Sequence, residues 1–194
     1  MTHFKFITAL FLVSFLIISC NSDQAYLIAE NKVGKITNST KINELEQLFP
    51  NDSIVKPNYK NRFEANGNDV YIYENGDLSL KIQPRIYGDS TSTIREIQIL
   101  NPKYKTANGL NVNGDFKTIY ENYSIKTIQN SFKNVIVDIK EFGLYVIIDK
   151  AELPSNLRYD RTSTITETQI PNQAKFKYVW FAFDAPQEVA SDKE

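Results

Sequence analysis

A nonapeptide occurs twice in this chain, and the repetition limits the folds that are open to it. Residues 91–99 read TSTIREIQI and residues 162–170 read TSTITETQI, so seven of nine positions agree at a spacing of 71 residues. The same spacing aligns Ser53-Ile54 with Ser124-Ile125. Repetition at one fixed spacing indicates a duplicated structural unit. We therefore expect two similar units that share one core.

Each unit is predicted to begin with a strand-like entry, residues 32–40 and 109–115, that leads into a short helix. Apolar residues at i, i+3 and i+4 form one face of a helix. Two triplets with this spacing are again 71 residues apart: Leu45, Leu48 and Phe49, then Phe116, Ile119 and Tyr120. Polar residues that can cap a helix precede both triplets. Helices at residues 41–49 and 115–122 would be short, so packing on a sheet must hold them.

Strands are predicted to follow each helix. In the first unit, residues 69–73 and 78–82 flank Asn75-Gly76, a dipeptide typical of a type I′ hairpin turn. The remaining predicted strands are residues 93–100 in the first unit, then 134–140, 144–149, 165–170 and 175–183. These elements predict an α+β fold: two tandem helix-plus-antiparallel-strand units that form a mostly antiparallel sheet, with short helices on one face.

The first twenty residues have the composition of an export signal. His3 and Lys5 are followed by an apolar segment, residues 6–18, which is interrupted only by Thr8 and Ser14. This segment is shorter than the roughly 20 apolar residues that span a bilayer, and its build is that of a secretory signal. It ends in Leu-Ile-Ile-Ser-Cys at Cys20.

This ending resembles the lipobox of bacterial lipoproteins, with an aliphatic residue three positions before the cysteine and a small residue directly before it. The resemblance implies that residues 1–19 are removed and that Cys20 carries acyl chains such as palmitate. Several chains together would hold the protein on a bilayer. The residue after Cys20 is Asn21 rather than the aspartate that retains such proteins at the inner membrane. The outer membrane is therefore favoured.

The expected domain boundaries follow from this signal and from the repeat. Residues 20–31 are predicted to be a tether, and residues 32–184 a single folded domain. The repeat units would occupy about 33–100 and 106–170. Residues 185–194 are polar and are predicted to form a flexible tail.

Composition excludes several kinds of site. The net charge of −1 offers no basic surplus for general nucleic-acid binding. His3 and Met1, the only residues of their types, leave with the signal, and Cys20 is the only cysteine. The mature chain therefore lacks the residue types that form histidine-dependent catalytic triads, zinc sites and haem ligands. We expect no cofactor and no enzymatic activity. The remaining enzymatic alternative is a histidine-free hydrolase that uses Ser53 and Lys56, or paired carboxylates.

Two stretches of the mature chain, residues 36–50 and 105–110, resemble small envelope-stress-regulated bacterial lipoproteins of unknown function. The arrangement of tandem units is also similar in outline to the beta-lactamase inhibitor protein and to small lipoproteins of the outer-membrane assembly machinery. Those are protein-binding modules. The resemblance implies an interaction role at the level of the fold alone.

Aromatic residues are the candidate binding groups. If the helices cover one sheet face, alternation places Tyr71, Tyr73 and Tyr145 on the other face. In the last strand the same rule places Phe176, Tyr178 and Trp180 on one face, and alternation leaves open whether this face or the opposite one, with Val179, Phe181 and Phe183, points outward. We therefore predict a membrane-anchored, non-enzymatic module whose Tyr71, Tyr73, Tyr145, Tyr178 and Trp180 bind an envelope protein. The alternatives are a glycan- or small-ligand-binding lipoprotein, or rings that only pack a second layer.

Overall fold

The smaller of two sheets is built from the first strands of the chain. The computed structural model describes residues 23–57 and 68–184. This sheet has the strand order β3-β2-β1-β8. Its strands are β1 (Leu27–Ala29), β2 (Lys32–Val33), β3 (Ile36–Thr37) and β8 (Lys105–Thr106). β1 pairs with β8 in parallel, and the other two pairs are antiparallel.

The larger sheet has eight strands in the order β4-β5-β6-β7-β12-β11-β10-β9, and all neighbouring pairs are antiparallel. The strands are β4 (Ser53–Val55), β5 (Val70–Glu74), β6 (Asp77–Pro84), β7 (Ile94–Ile99), β9 (Ile125–Asn130), β10 (Asn134–Ile139), β11 (Leu144–Asp149) and β12 (Phe176–Ala182). Gln98 faces Trp180 where β7 pairs with β12. The early and late strands of the chain therefore meet at the middle of one sheet.

Helices contribute little to the described residues, so the predicted α+β class is wrong and the fold is mostly β. The α-helices are α1 (Leu45–Leu48), α2 (Phe116–Asn122) and α3 (Ser155–Arg158). Short 3-10 helices occupy Asp23–Tyr26, Ile42–Glu44, Lys150–Glu152 and Glu167–Gln169. Leu45 and Phe116 are buried as their spacing predicted. Their helices last only one to two turns, which is too little to define helix-plus-strand units.

The second copy of the nonapeptide is not a strand, although residues 165–170 were predicted to form one. In the first copy the chain forms β7. In the second copy the Thr166 amide donates to Gln169 Oε1 at 2.9 Å, which is one half of a capping box, and a 3-10 turn follows. Arg95 occupies the position that corresponds to Thr166, so the first copy cannot make this cap. β12, rather than the second copy, pairs with β7.

The hairpin between β5 and β6 is confirmed. Asn75 and Gly76 have φ values of +54° and +88°, the left-handed conformations that a type I′ turn requires. In β5, Val70 and Ile72 are fully buried, whereas Tyr71 and Tyr73 are half-buried on the opposite face.

A single cluster of buried apolar residues joins the smaller sheet, the helices and the inner face of the larger sheet. Ile28 of β1 belongs to this core and is only 1% exposed. The tether predicted for residues 20–31 is therefore too long, because ordered chain reaches back to at least Asp23. The predicted signal, Cys20 and the tail at 185–194 lie outside the described residues.

Candidate interaction face

An unbroken row of side chains crosses the face of the larger sheet that points away from the core; we call this the outer face. Each residue of the row is paired directly with the next by strand register. Because alternate residues of a strand point to opposite sides, their neighbours along each strand supply the core. From β4 to β9 the row reads Val55, Tyr71, Lys81, Gln98, Trp180, Tyr145, Asp138 and Thr127.

Three of the predicted binding residues meet on β11 and β12; we call Tyr145, Tyr178 and Trp180 the aromatic cluster. Tyr145 and Trp180 are paired across the strands, and their rings are parallel to within 5° with centroids 6.3 Å apart. Tyr178 lies opposite Ile147, which in turn lies opposite Ile136 of β10. The two isoleucines extend the cluster into an apolar strip that sequence analysis did not identify.

The other two predicted residues lie on the same face but apart from the aromatic cluster. Tyr71 and Tyr73 of β5 are three strands away from β12, a distance of about 14 Å at ordinary strand spacing. Lys81 and Gln98 lie between them in the row. The structure therefore places all five predicted residues on one face, in two separate groups.

Charged groups border both parts of the face. Lys81 Nζ forms a 2.9 Å ion pair with Asp69, and this hydrogen bond is the main cause that raises the pKa of Lys81. Burial is the main cause that raises the pKa of Tyr145, and the negative charges of Glu96 and Asp138 add to it. The Tyr145 phenol therefore stays protonated and can act as a hydrogen-bond donor at neutral pH.

A pocket of about 440 Å³ opens at the edge of the outer face beside Tyr145, and we call it the acidic pocket. Its ionisable lining is mainly acidic: Lys126 and Lys140 against Glu30, Asp138, Glu141 and Asp184. Close contact between β11 and β12 shapes this edge, because the Ala182 amide donates to the Gly143 carbonyl at 2.8 Å. A Cβ at position 143 would lie 1.9 Å from the Ala182 carbonyl oxygen.

One expectation about β12 is wrong: Phe176 does not share a face with Tyr178 and Trp180. Tyr178 pairs with Ile147 and Phe176 pairs with the next residue, Ile148, so Lys177 forms a bulge. A bulge adds one residue to a strand and reverses the alternation beyond it. Phe176 consequently points into the core, and Lys177 Nζ lies 2.8 Å from an Asp149 carboxylate oxygen.

Ser53 and Lys56, which the hydrolase alternative would use, each have another partner in the structure. Ser53 lies in β4 opposite Tyr73, and the Lys56 ammonium is 2.7 Å from the Glu46 carboxylate. Within residues 23–57 and 68–184, no group of three or more His, Cys, Asp or Glu side chains is arranged to hold a metal ion. The described part of the chain also contains no helix long and apolar enough to cross a membrane.

Comparisons with known proteins bear on the fold. No protein-family model matches the chain, and no curated protein matches its sequence. A similar solved structure is the crystal structure of the uncharacterized protein yfeY from Escherichia coli, with a TM-score of 0.50 and 14% sequence identity. The match covers 81% of this chain and 99% of that chain. At this identity the likeness shows a shared fold and carries no argument about function.

Proposed function

We propose that this protein is a membrane-anchored interaction module of the bacterial envelope, and that it binds a protein partner on its outer face. The observation that carries the proposal is that all five predicted tyrosine and tryptophan side chains lie on the sheet face opposite the core, three of them in the aromatic cluster. The smaller sheet and the helices belong to the core on the other side of this sheet.

The chemistry of the outer face suits a protein partner. Tyrosine and tryptophan offer large contact areas at low cost in conformational entropy and are enriched at the centres of protein interfaces. In the aromatic cluster these rings lie beside Ile136 and Ile147, which are also half-buried. Gln98, paired with Trp180, and Asp138, paired with Tyr145, supply polar groups beside this apolar strip.

The anchor in this proposal is Cys20, whose acyl chains would hold the domain at a membrane surface, with the outer membrane favoured. The lipobox-like ending of the signal supports this assignment. Replacement of Cys20 by Ala is expected to release the protein from the membrane fraction. Continued sedimentation of the Cys20→Ala protein with membranes would contradict lipid anchoring.

Partner capture tests the binding face. Tagged, lipidated protein is isolated from crosslinked native membranes, and the captured proteins are identified by mass spectrometry. Tyr178 and Tyr120 form a matched pair, because they are 42% and 49% exposed, but Tyr178 lies on the outer face and Tyr120 lies on α2. We expect Tyr178→Ala to reduce capture of a specific envelope protein and Tyr120→Ala to leave it unchanged. Equal capture by both variants would refute the outer face as the binding surface.

Glycan binding is the second candidate, and the parallel rings of Tyr145 and Trp180 favour it. Sugar rings bind to aromatic platforms of this kind through their apolar faces. Trp180 is the only tryptophan of the chain, so its fluorescence reports directly on the aromatic cluster. A saturable change on titration with cell-wall or polysaccharide fragments would favour this candidate over a protein partner, and a constant signal would remove it.

A further inference from the structure

A second pocket, of about 400 Å³, lies at the opposite end of β10 and β11 from the acidic pocket. Four of its lining residues are cationic and one is anionic: Lys133, Lys150, Arg158 and Arg161, with Asp149. We call it the basic pocket. Its lining carries three net positive charges, in a chain whose net charge is −1.

Lys150 is the unusual member of this set, because it is only 3% exposed. Its ammonium donates to the backbone carbonyl of Asp160, and an ammonium group has three donors. Burial of a charge is costly unless an opposite charge compensates it. Among the described residues, none of the four cations of the basic pocket forms an ion pair.

Asp149, which lines the basic pocket, and Asp160, whose backbone carbonyl accepts from Lys150, use their carboxylates in other contacts. Asp149 accepts from the Ala151 amide at 3.0 Å and pairs with Lys177 at 2.8 Å, and both contacts lower its pKa. Asp160 accepts hydrogen bonds from the amides of Thr162 and Ser163 and from the Ser163 hydroxyl, all within its own loop. The net positive charge of the basic pocket is therefore not neutralised by these carboxylates, and an anionic ligand could neutralise it.

Two exposed aromatic rings also line the basic pocket. Phe132 is 55% exposed and Tyr159 is 88% exposed. The Arg161 guanidinium lies 3.8 Å from the centroid of the Phe132 ring, a cation–π contact. Arg158 donates through Nε to the Leu153 carbonyl at 2.7 Å, which leaves its two terminal amino groups available.

We propose that the basic pocket binds the phosphate group of an organic ligand that also has an apolar part. A guanidinium group matches two phosphate oxygens at once, and an ammonium group adds a compact charge. The Phe132 and Tyr159 rings would cover the apolar part of the ligand. The basic pocket adjoins the outer face at Asp149, two residues beyond Ile147 in β11, but no residue of the aromatic cluster lines it. It therefore adds a ligand class to the proposed protein-binding role and does not depend on that role.

Isothermal titration calorimetry on the protein purified from membranes in a nonionic detergent tests this proposal. Phenyl phosphate is the probe for a free organic phosphate, and dihexanoyl phosphatidylglycerol is the probe for a lipid headgroup. The double variant Lys133→Gln/Arg161→Gln changes two exposed cations of the pocket. We expect binding to weaken about tenfold or more for each cation removed, since each makes a charge-assisted contact. Binding should also weaken as salt is added.

The matched control is Lys126→Gln/Lys140→Gln, which removes the same charge from the acidic pocket. Binding of phenyl phosphate that is lost only in the basic-pocket variant would support a free organic phosphate as ligand. Binding of phosphatidylglycerol alone, lost in the same variant, would support a lipid headgroup as the source of the phosphate. Failure of the unaltered protein to bind either probe, or equal loss in the control variant, would overturn the proposal.

Discussion

A methyl group added at Gly143 should disrupt the junction of β11 and β12 through steric overlap alone. The new Cβ would lie 1.9 Å from the carbonyl oxygen and 3.0 Å from the carbonyl carbon of Ala182. Ordinary contact begins at about 3.4 Å, so one backbone must move by about 1.5 Å. Both atoms belong to backbone, and no flexible side chain can absorb this displacement.

Overpacking costs about 1–3 kcal/mol in well-packed regions, and a backbone obstacle places Gly143→Ala at the upper end of that range. For a domain of this size, a loss of about 3 kcal/mol lowers Tm by roughly 6–12 °C. The assay is thermal unfolding followed by circular dichroism. Tyr145, two residues along β11, should also lose its parallel contact with Trp180, which a change in Trp180 fluorescence would report.

Gly109→Ala is the matched control for this substitution. Gly109 has a φ of +82° and open space around its Cβ position, so alanine there incurs the conformational cost without a clash. That cost is about 1 kcal/mol, which corresponds to a decrease of roughly 2–4 °C in Tm. If Gly143→Ala is no more destabilising than Gly109→Ala, the close approach of β11 and β12 in this account is wrong.

Three further predictions concern other parts of the fold. Ile28→Ala should reduce the free energy of unfolding by about 2–4 kcal/mol in urea titrations, because Ile28 is buried in the core. A change near zero would mean that Ile28 is not packed in the core and that residues 20–31 form a tether. Gln169→Ala should cost about 1 kcal/mol in the same assay by removing the acceptor of the Thr166 amide, and an unchanged midpoint would contradict that cap. Burial raises the pKa of both Tyr104 and Tyr145 above the usual 10, so the folded state keeps protons that the unfolded state loses, and stability should fall as pH rises beyond about 10. Ultraviolet absorbance titration should show two tyrosines that ionise only on unfolding, and ionisation of every tyrosine near pH 10 in the folded protein would refute this.

Local sequence patterns predicted the parts of the fold that depend on neighbouring residues. The Asn75-Gly76 turn followed from the conformations that this dipeptide accepts. The burial of Val70 and Ile72 and the opposite orientation of Tyr71 followed from alternation along a strand. In each case the information lies within a few residues of the position concerned.

Two of the wrong predictions concern the second nonapeptide and the start of β12, where one or two residues change the backbone conformation. The two copies of the nonapeptide differ at two positions, Arg95/Thr166 and Ile97/Thr168, and the second copy forms a 3-10 turn capped at Thr166 in place of a strand. The Thr-Glu-Thr-Gln pattern of a capping box was present in the sequence and could have identified that turn. The bulge at Lys177 is different, because alternation alone gives no sign of it.

The two candidate sites could be predicted only in part, because both depend on pairing between distant segments. Alternation placed the tyrosines of β5 and β11 on one side of their strands. That β11 is the fourth strand away from β5 is known only from the strand order of the sheet. The basic pocket combines Phe132, Lys150 and Arg161 from different parts of the chain. Their convergence follows from the pairing of β10 with β11 and from the loop after β11, which no local pattern specifies.

Site-specific photo-crosslinking in native membranes tests the central claim most directly. Benzoylphenylalanine is incorporated in place of Tyr178 on the outer face or in place of Tyr120 on α2, two positions of similar exposure. We predict that irradiation links position 178, and not position 120, to a specific envelope protein. Crosslinks to that protein from position 120 but not from position 178 would contradict binding at the outer face.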